Sequence, residues 1–428
     1  MKVLISSVGN TDPIRGQHDG PLLHLARILR PEKIILIYSE TLVQRHERIQ
    51  TALLSIADYQ PIIEVSPDLL PSSEIAIFDK MFARMSAIVD KCVKELEDDS
   101  QIFLNLSSGT AQIISSLFAL NRIKSTNFAA YQVLSPNYGS NEKTSFTSDV
   151  PIEELIATNR DNVPSPENRT RLDQADKFQE SLGKRQVLQH IQSFDFQAAY
   201  AMMLQKQTRN WFSKTVRSKI NRILENYDQA IKFQMPLDLP YDSELNKILT
   251  SYLLIDLSIR RELITDVLIK SKSLAEYMLE SYIEQKHPEL VVKLNGFPKV
   301  NHNHPLADKV NGYIAEQMRL DLKEKYDSSR PYNPQSTLNI VSFKNIIDCL
   351  EPDNSITPLV STIIAKNGLR NKLAHGLEPI NSKELSKSQL KQIGSSLAAM
   401  LNHIYLIDHH DFDYHVNNVE KLQALVNS

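Results

Sequence analysis

Cysteine is nearly absent from this 428-residue chain: Cys92 and Cys349 stand far apart, and neither has a CxxC partner. That excludes a cysteine zinc site and fits a reducing cytoplasm, where we expect the protein to reside. Long apolar runs are missing too. None approaches the roughly 20 residues that span a bilayer, so no membrane partner is expected. Neither sign of charge dominates, the formal net charge being −3, so any nucleic-acid contact must come from a local patch. A GxGxxG fingerprint is lacking, because Gly9, Gly16 and Gly20 are too widely spaced. This argues against a dinucleotide cofactor, although Glu40 ends the second strand-like run, where a ribose-binding acid would sit. The second half shows no helix-turn-helix with a basic recognition helix, which argues against stable DNA binding. What remains, 42% hydrophobic and 23% charged residues, is the composition of a soluble globular protein, long enough for two or three domains.

The first 150 residues alternate strand-like and helix-like segments. Strand-like runs fall at 3–8, 33–39, 61–66, 101–106 and 127–134, and the first of them makes the N-terminus a β-strand rather than a signal peptide. Between them, apolar residues at three- and four-residue spacing predict helices at 21–29, about 40–59, 74–96 and 111–123. Runs such as Ile34-Ile35-Leu36-Ile37 are apolar on both faces, as expected when helices cover both sides of a parallel sheet. The fold class is therefore α/β plus all-α: a Rossmann-like doubly wound domain over 1–158, then helical domains over 159–250 and 251–428. Doubly wound sheets bind ligands at the carboxyl ends of their strands, where strand order reverses. Two loops are predicted there, Gly9-Asn10-Thr11-Asp12 and Asn105-Leu106-Ser107-Ser108-Gly109-Thr110-Ala111-Gln112. Hydroxyls and free N–H groups at a helix N-terminus suit a phosphate-bearing ligand, the alternative being a simple helix cap.

Beyond 150 the pattern becomes helical, after a polar stretch at 159–168 with two prolines that reads as a linker. Residues 209–222 hold five cations, no acid and the single Trp, which fits a solvated basic helix face or a contact with single-stranded RNA. Twice an arginine is followed by histidine five residues later, at Arg185/His190 and at Arg370/His375. Asn371 directly after Arg370 and Gly376 directly after His375 favour the second pair. An always-cationic guanidinium, an amide and an imidazole within two turns are what metal-free cleavage of an RNA phosphodiester needs. His375 would assist proton transfer as a ribose 2′-OH attacks the adjacent phosphate, and Arg370 would stabilise the added negative charge. The products would be a 2′,3′-cyclic phosphate and a 5′-OH. Five residues place the two side chains about 140° apart on a helix, so a two-fold dimer bringing two motifs into one cleft is expected. Residues 408–415 are rich in metal-ligand types, but adjacent ligands on a helix point apart and no second motif completes a shell. His302 and His304 read as polar turn residues, and no metal or cofactor is expected.

An α/β domain with a Ser-Ser-Gly-Thr loop, a helical connector and a terminal helical domain bearing Arg370, Asn371 and His375 resembles the accessory ribonucleases of type III-A CRISPR systems. Those join a CRISPR-associated Rossmann-fold (CARF) sensor to a HEPN ribonuclease domain. The resemblance implies that Arg370, Asn371 and His375 cut single-stranded RNA at a homodimer interface without metal. It also implies that the CARF dimer binds a cyclic oligoadenylate made by the type III effector complex, cyclic hexa-adenylate being the expected ring. Asn10, Thr11, Asn105, Ser107, Ser108, Gly109, Thr110 and Gln112 would line that pocket. Some family members slowly cut the activator there, and Thr110 would then help position the attacking 2′-OH. The competing classes are a nucleotide-sensing regulatory or binding protein without catalysis and a HEPN toxin without a ligand.

Overall fold

The computed structural model describes residues 1–97, 99–124, 128–136, 150–326, 332–373, 379–380 and 384–428. The chain divides into two compact units, Met1–Ala175 and Asp176–Ser428.

The first unit runs β1 (Lys2–Ser7), β2 (Ile14–Arg15), β3 (His18–Asp19), α1 (Pro21–Leu29), β4 (Lys33–Ile37), α2 (His46–Leu54), β5 (Ile62–Val65), α3 (Phe78–Lys94), β6 (Gln101–Asn105), α4 (Ala111–Ile123), β7 (Phe128–Val133), α5 (Ile152–Thr158) and β8 (Thr170–Leu172). Its sheet has the order β5-β4-β1-β6-β7-β8. The first five strands are parallel, and β8 pairs antiparallel with β7. From β1 the chain steps outward through β4 to β5, then returns to place β6 on the other side of β1. The order therefore reverses between β1 and β6, and the loops after these two strands flank the crevice where doubly wound sheets take ligands. Period-two alternation divides β1 between two cores. Val3 and Ile5 pack with Met81, Met85 and Leu117 of α3 and α4, while Leu4 packs with Leu22, Leu25 and Leu53 of α1 and α2.

Two expectations change here. The helix expected at 40–59 forms only over α2, because the chain after β4 continues as a bracing loop: the Glu40 N–H donates to the Leu70 carbonyl, and the Glu40 carboxylate accepts from the Ser72 N–H at 2.8 Å. Glu40 thus braces the loop. The supposed linker at 159–168 belongs to the first unit, held to α1 and β3 by buried polar groups, and β8 beyond it joins the sheet.

The second unit contains α6 (Asp176–Gln192), α7 (Phe196–Met203), α8 (Lys214–Phe233), α9 (Ser243–Arg260), α10 (Ile264–Lys286), a hairpin of β9 (Val291–Leu294) and β10 (Phe297–Val300), then α11 (Ala307–Tyr326), α12 (Ile340–Leu350), α13 (Ile356–Ile364), α14 (Asn367–Asn371), α15 (Lys387–Tyr405) and α16 (Tyr414–Asn427). The hairpin turns on Asn295-Gly296, both at positive φ (55° and 81°), the dipeptide signature of a two-residue hairpin turn, within a half whose pattern predicted helices. One core runs from Val187 to Val426. A boundary at 250 would fall inside α9, whose Leu249, Leu253, Ile255 and Leu257 are all buried in that core, so the helices at 176–250 share their interior with the rest of the unit.

Candidate ligand crevice and candidate active site

At the carboxyl end of the sheet the loops after β1 and β6 touch backbone to backbone. A Cβ on Gly9 would lie 2.7 Å from the Gly109 nitrogen, and one on Gly109, at φ +105°, would lie 2.7 Å from Ser7 Oγ. Only glycine fits either place. The Ser7 hydroxyl donates to the Ser108 carbonyl. Asn105 ties the rest together: its amide nitrogen donates to Ser6 Oγ and Ser108 Oγ, both at 2.8 Å, and its Oδ1 accepts from the Ser107 N–H at 2.8 Å. Ser107 Oγ accepts from the Val133 N–H at 2.8 Å. Thr110 caps α4, its Oγ1 accepting from the Ile113 N–H at 3.4 Å.

The expected ligand residues thus fall into two groups. Asn105 and Ser108 are buried, at 0% and 1% exposure, and their polar atoms are engaged in shaping the loop. Asn10 is exposed, and Thr11, Ser107, Gly109, Thr110 and Gln112 are partly so, around the open side of the crevice. Asp12 was not among the expected ligand residues. Its two carboxylate oxygens accept separately from the Gly9 N–H (2.9 Å) and the Leu22 N–H (3.0 Å). Burial raises its pKa to about 6, against the lowering effect of those two N–H groups and the Ser108 hydroxyl. A carboxylate in the turn after a Gly that ends a strand was the available signal.

Asp19, His24 and Asp161, all buried, lie close enough together to share a cation. Their lone pairs are already committed. Asp19 accepts from Arg27 through both oxygens (2.7 and 3.1 Å) and from Asn159 (2.7 Å). Asp161 accepts from Arg169 at 2.6 Å and from the Asp19 N–H at 2.8 Å, and His24 Nε2 accepts from the Arg169 N–H at 3.1 Å. Burial works to raise the Asp19 pKa, but hydrogen bonds from His24 and Arg27 and the Arg27 charge outweigh it and hold it low. Two guanidiniums fill the cation's place, and the cluster is a structural strap.

In the helical unit Arg370 sits on α14, a short helix whose N-terminal side is set by α13. Its backbone N–H donates to the Lys366 carbonyl at 3.0 Å, and its Nη1 donates to Asn371 Oδ1 at 3.2 Å. Arg370 reaches into a small cavity between α10, α13 and α15, lined also by Ser271, Lys272 and Lys366. Asn371 is exposed, and the backbone opens into a wider π-turn at Lys372–Leu373. His375 lies outside the described residues. The rival pair Arg185/His190 is on α6, Arg185 exposed. Trp211 is half-buried, and its ring packs on Gly183 of α6, where a Cβ would come within 1.8 Å of it. The basic residues Lys214, Arg217 and Arg222 do line an open surface cleft along α8.

The 408–415 cluster does not converge. Asp408 caps a short turn through the His410 N–H (3.0 Å), Asp411 accepts from the Tyr241 hydroxyl, and His415 is fully buried between the Tyr227 hydroxyl (2.9 Å) and the Leu253 carbonyl (2.7 Å). Burial depresses the His415 pKa to about 4. His304 accepts from the Leu306 N–H at 3.2 Å, a turn role as expected. Among the described residues no helix is long and apolar enough to cross a membrane.

A Rossmann-like sheet with a glycine-tight crevice at its strand reversal, followed by a mainly helical unit carrying Arg370-Asn371, defines a two-unit protein of the CARF–HEPN class. Known proteins bear this out. A family model described as the Cas_Csm6 CARF domain matches residues 72–170, and one described as the Cas_Csm6 HEPN domain matches residues 237–419. The chain is 40% identical over 419 residues to the CRISPR system endoribonuclease Csm6 of Streptococcus thermophilus, covering 97% of each chain. It is 32% identical over 422 residues to Csm6′ of the same organism, again covering 97% of each. The solved structure of Enterococcus italicus Csm6 bound to cyclic hexa-2′-fluoro-hexa-dAMP shares the fold, with a TM-score of 0.68 at 24% identity, covering 99% of this chain and 100% of that one. The chain belongs to the Csm6 family of CRISPR endoribonucleases.

Proposed function

We propose that the protein is an endoribonuclease switched on by a cyclic oligoadenylate in type III CRISPR antiviral defence. The ligand binds at the crevice between the loops after β1 and β6. The observation that carries this reading is the backbone contact of Gly9 with Gly109, which leaves a floor without side chains at the strand reversal, with the α4 N-terminus and Thr110 beside it. Peptide N–H groups at that end favour phosphates. Cyclic hexa-adenylate is the expected ring, a reading supported by the ligand of the Enterococcus italicus neighbour. Asn10, Thr11, Ser107, Gly109, Thr110 and Gln112 contact it, while Asn105 and Ser108 hold the loop in shape. Thr110 is also the residue to position a 2′-OH if the crevice slowly cuts its own activator.

In the helical unit, Arg370 stabilises charge building on the scissile phosphate, Asn371 holds Arg370 in place, and His375 moves the proton of the attacking 2′-OH. No metal takes part, DNA is spared for want of that hydroxyl, and two protomers complete the cleft between them. The test is cleavage of a fluorescent single-stranded RNA in excess EDTA, with and without cyclic tetra- and hexa-adenylate, by wild type, Arg370→Ala and His375→Ala. Activity that needs one ring, survives EDTA, leaves 2′,3′-cyclic phosphate ends and drops at least about a hundredfold in both variants is expected. Nucleotide-independent activity would mean a constitutive nuclease, and an inactive wild type with both rings would mean a binding protein.

A further inference from the structure

Arg370 and Ser271 both line this cavity, and among the described residues neither Arg370 Nε nor Ser271 Oγ, both buried, has a hydrogen-bond partner. Ser271 lies in the middle of α10 and is 1% exposed. A serine inside a helix ordinarily turns its hydroxyl back to the carbonyl four residues earlier. Ser116, Ser181, Ser251, Ser258, Ser273 and Ser361 all do so here. Ser271 does not make that bond, and it lines the cavity together with Arg370. Leaving a donor such as Nε–H dry costs free energy comparable to a lost hydrogen bond, so each of the two groups needs a partner. The cavity volume is about 10 Å³, close to the space one water needs and too small for a phosphate. The other polar groups lining it, Lys272, Lys366 and Asn367, give a water further neighbours.

We infer that Ser271 is a positioning residue for Arg370: its hydroxyl, through a single water in this cavity, anchors the guanidinium at Nε. With Nη1 held by Asn371 Oδ1 at 3.2 Å, the group is then fixed at two of its three nitrogens, and Nη2 is not spent in either contact. A guanidinium so fixed meets a phosphate without first losing rotamer freedom, which is worth most in the transition state. The inference rests on Arg370 acting on the scissile phosphate.

The experiment measures kcat and KM for RNA cleavage by the full-length protein with cyclic hexa-adenylate saturating. The variants are Ser271→Ala, Ser271→Val, Ser271→Thr, Arg370→Ala, Arg370→Lys and the double variant Ser271→Ala/Arg370→Lys. Ser271→Ala and Ser271→Val should lower kcat about tenfold at little-changed KM, whereas Ser271→Thr, which keeps the hydroxyl, should stay within about threefold of wild type. In the Arg370→Lys background, which has no Nε–H, Ser271→Ala should change nothing further. Wild-type kcat in Ser271→Ala and Ser271→Val beside an inactive Arg370→Ala overturns the inference and leaves the catalytic reading standing. Equal losses in Ser271→Thr and Ser271→Val, or an undiminished Ser271→Ala effect in the Arg370→Lys background, also overturn it, because packing would then be the cause. Wild-type activity in Arg370→Ala removes the catalytic reading and this inference together.

Discussion

At the scale of single residues, partners rather than residue types decide roles. His415 shares a stretch with Asp408, His409, His410 and Asp411, yet it is a core group, giving its Nε2 proton to Leu253 and accepting from Tyr227. Its pKa is depressed to about 4 from an ordinary 6.5, so the folded state resists protonation. The stability this contributes is complete above pH 6.5 and is lost as pH falls through about 4. That difference corresponds to about 3 kcal/mol. Urea unfolding between pH 7 and 4 should show that slope, and His415→Phe should flatten it while costing about 1–3 kcal/mol at pH 7 for the stranded Tyr227 and Leu253 groups. Gly109→Ala is the matching change in the crevice. Positive φ and the Ser7 hydroxyl both oppose a Cβ, so we expect a loss of about 1–3 kcal/mol in thermal unfolding and weakened activator binding by calorimetry.

Elements show where packing overrides propensity. Gly183 lies inside α6, and replacing a helical glycine with alanine usually gains up to about 1 kcal/mol. Here the new methyl would meet the Trp211 ring at 1.8 Å, and overpacking of that kind costs about 1–3 kcal/mol, so Gly183→Ala should destabilise the helical unit. A rise in its unfolding midpoint would show that the ring can move away. In the first unit, the stretch at 159–169 is held by Arg169, whose side chain is 5% exposed and reaches Asp161 (2.6 Å) and the Leu134 carbonyl (3.0 Å). Arg169→Ala would leave buried Asp161 without its cation, a loss of about 3–5 kcal/mol visible in chemical unfolding. This segment was illegible in the sequence because its prolines, asparagines and charges look the same in a linker as in a strap. Its partner Asp19 is 142 residues away from Asp161 in the chain. The strands and helices of the sheet were legible because periodicity is a local signal, as the agreement over Pro21–Leu29 and Ala111–Ile123 shows.

Across the whole molecule one buried group in each unit links stability to acid, and the two act in opposite directions. Asp12 in the first has its pKa raised to about 6 from 3.8, so the stability linked to its protonation is present at low pH and lost as pH rises through about 6. His415 in the second works the other way over the same range. Unfolding followed separately in each unit should therefore diverge between pH 7 and 5, with the helical unit falling relative to the sheet unit. Under the proposed function the two sites should also separate by variant. Thr110→Ala and Gln112→Ala should raise the activator concentration for half-maximal cleavage about tenfold at unchanged maximal rate, while Arg370→Ala should abolish cleavage with activator binding intact. An unchanged activator dependence in both crevice variants would remove the assigned ligand residues.

The amino-acid order alone determined the alternation of strand and helix, the position of both crevice loops after their strands, and the Arg370-Asn371 pair in a helical second half. These are carried by spacing within a few residues, which sequence displays directly. Tertiary structure alone decided that Asn105 and Ser108 turn inward, that Asp12 braces the crevice, that Trp211 is packed on a glycine, and that Ser271 of α10 stands beside Arg370 of α14. Each of those depends on which buried polar or aromatic group finds a partner across the fold, and burial forces that choice only once the distant segments meet.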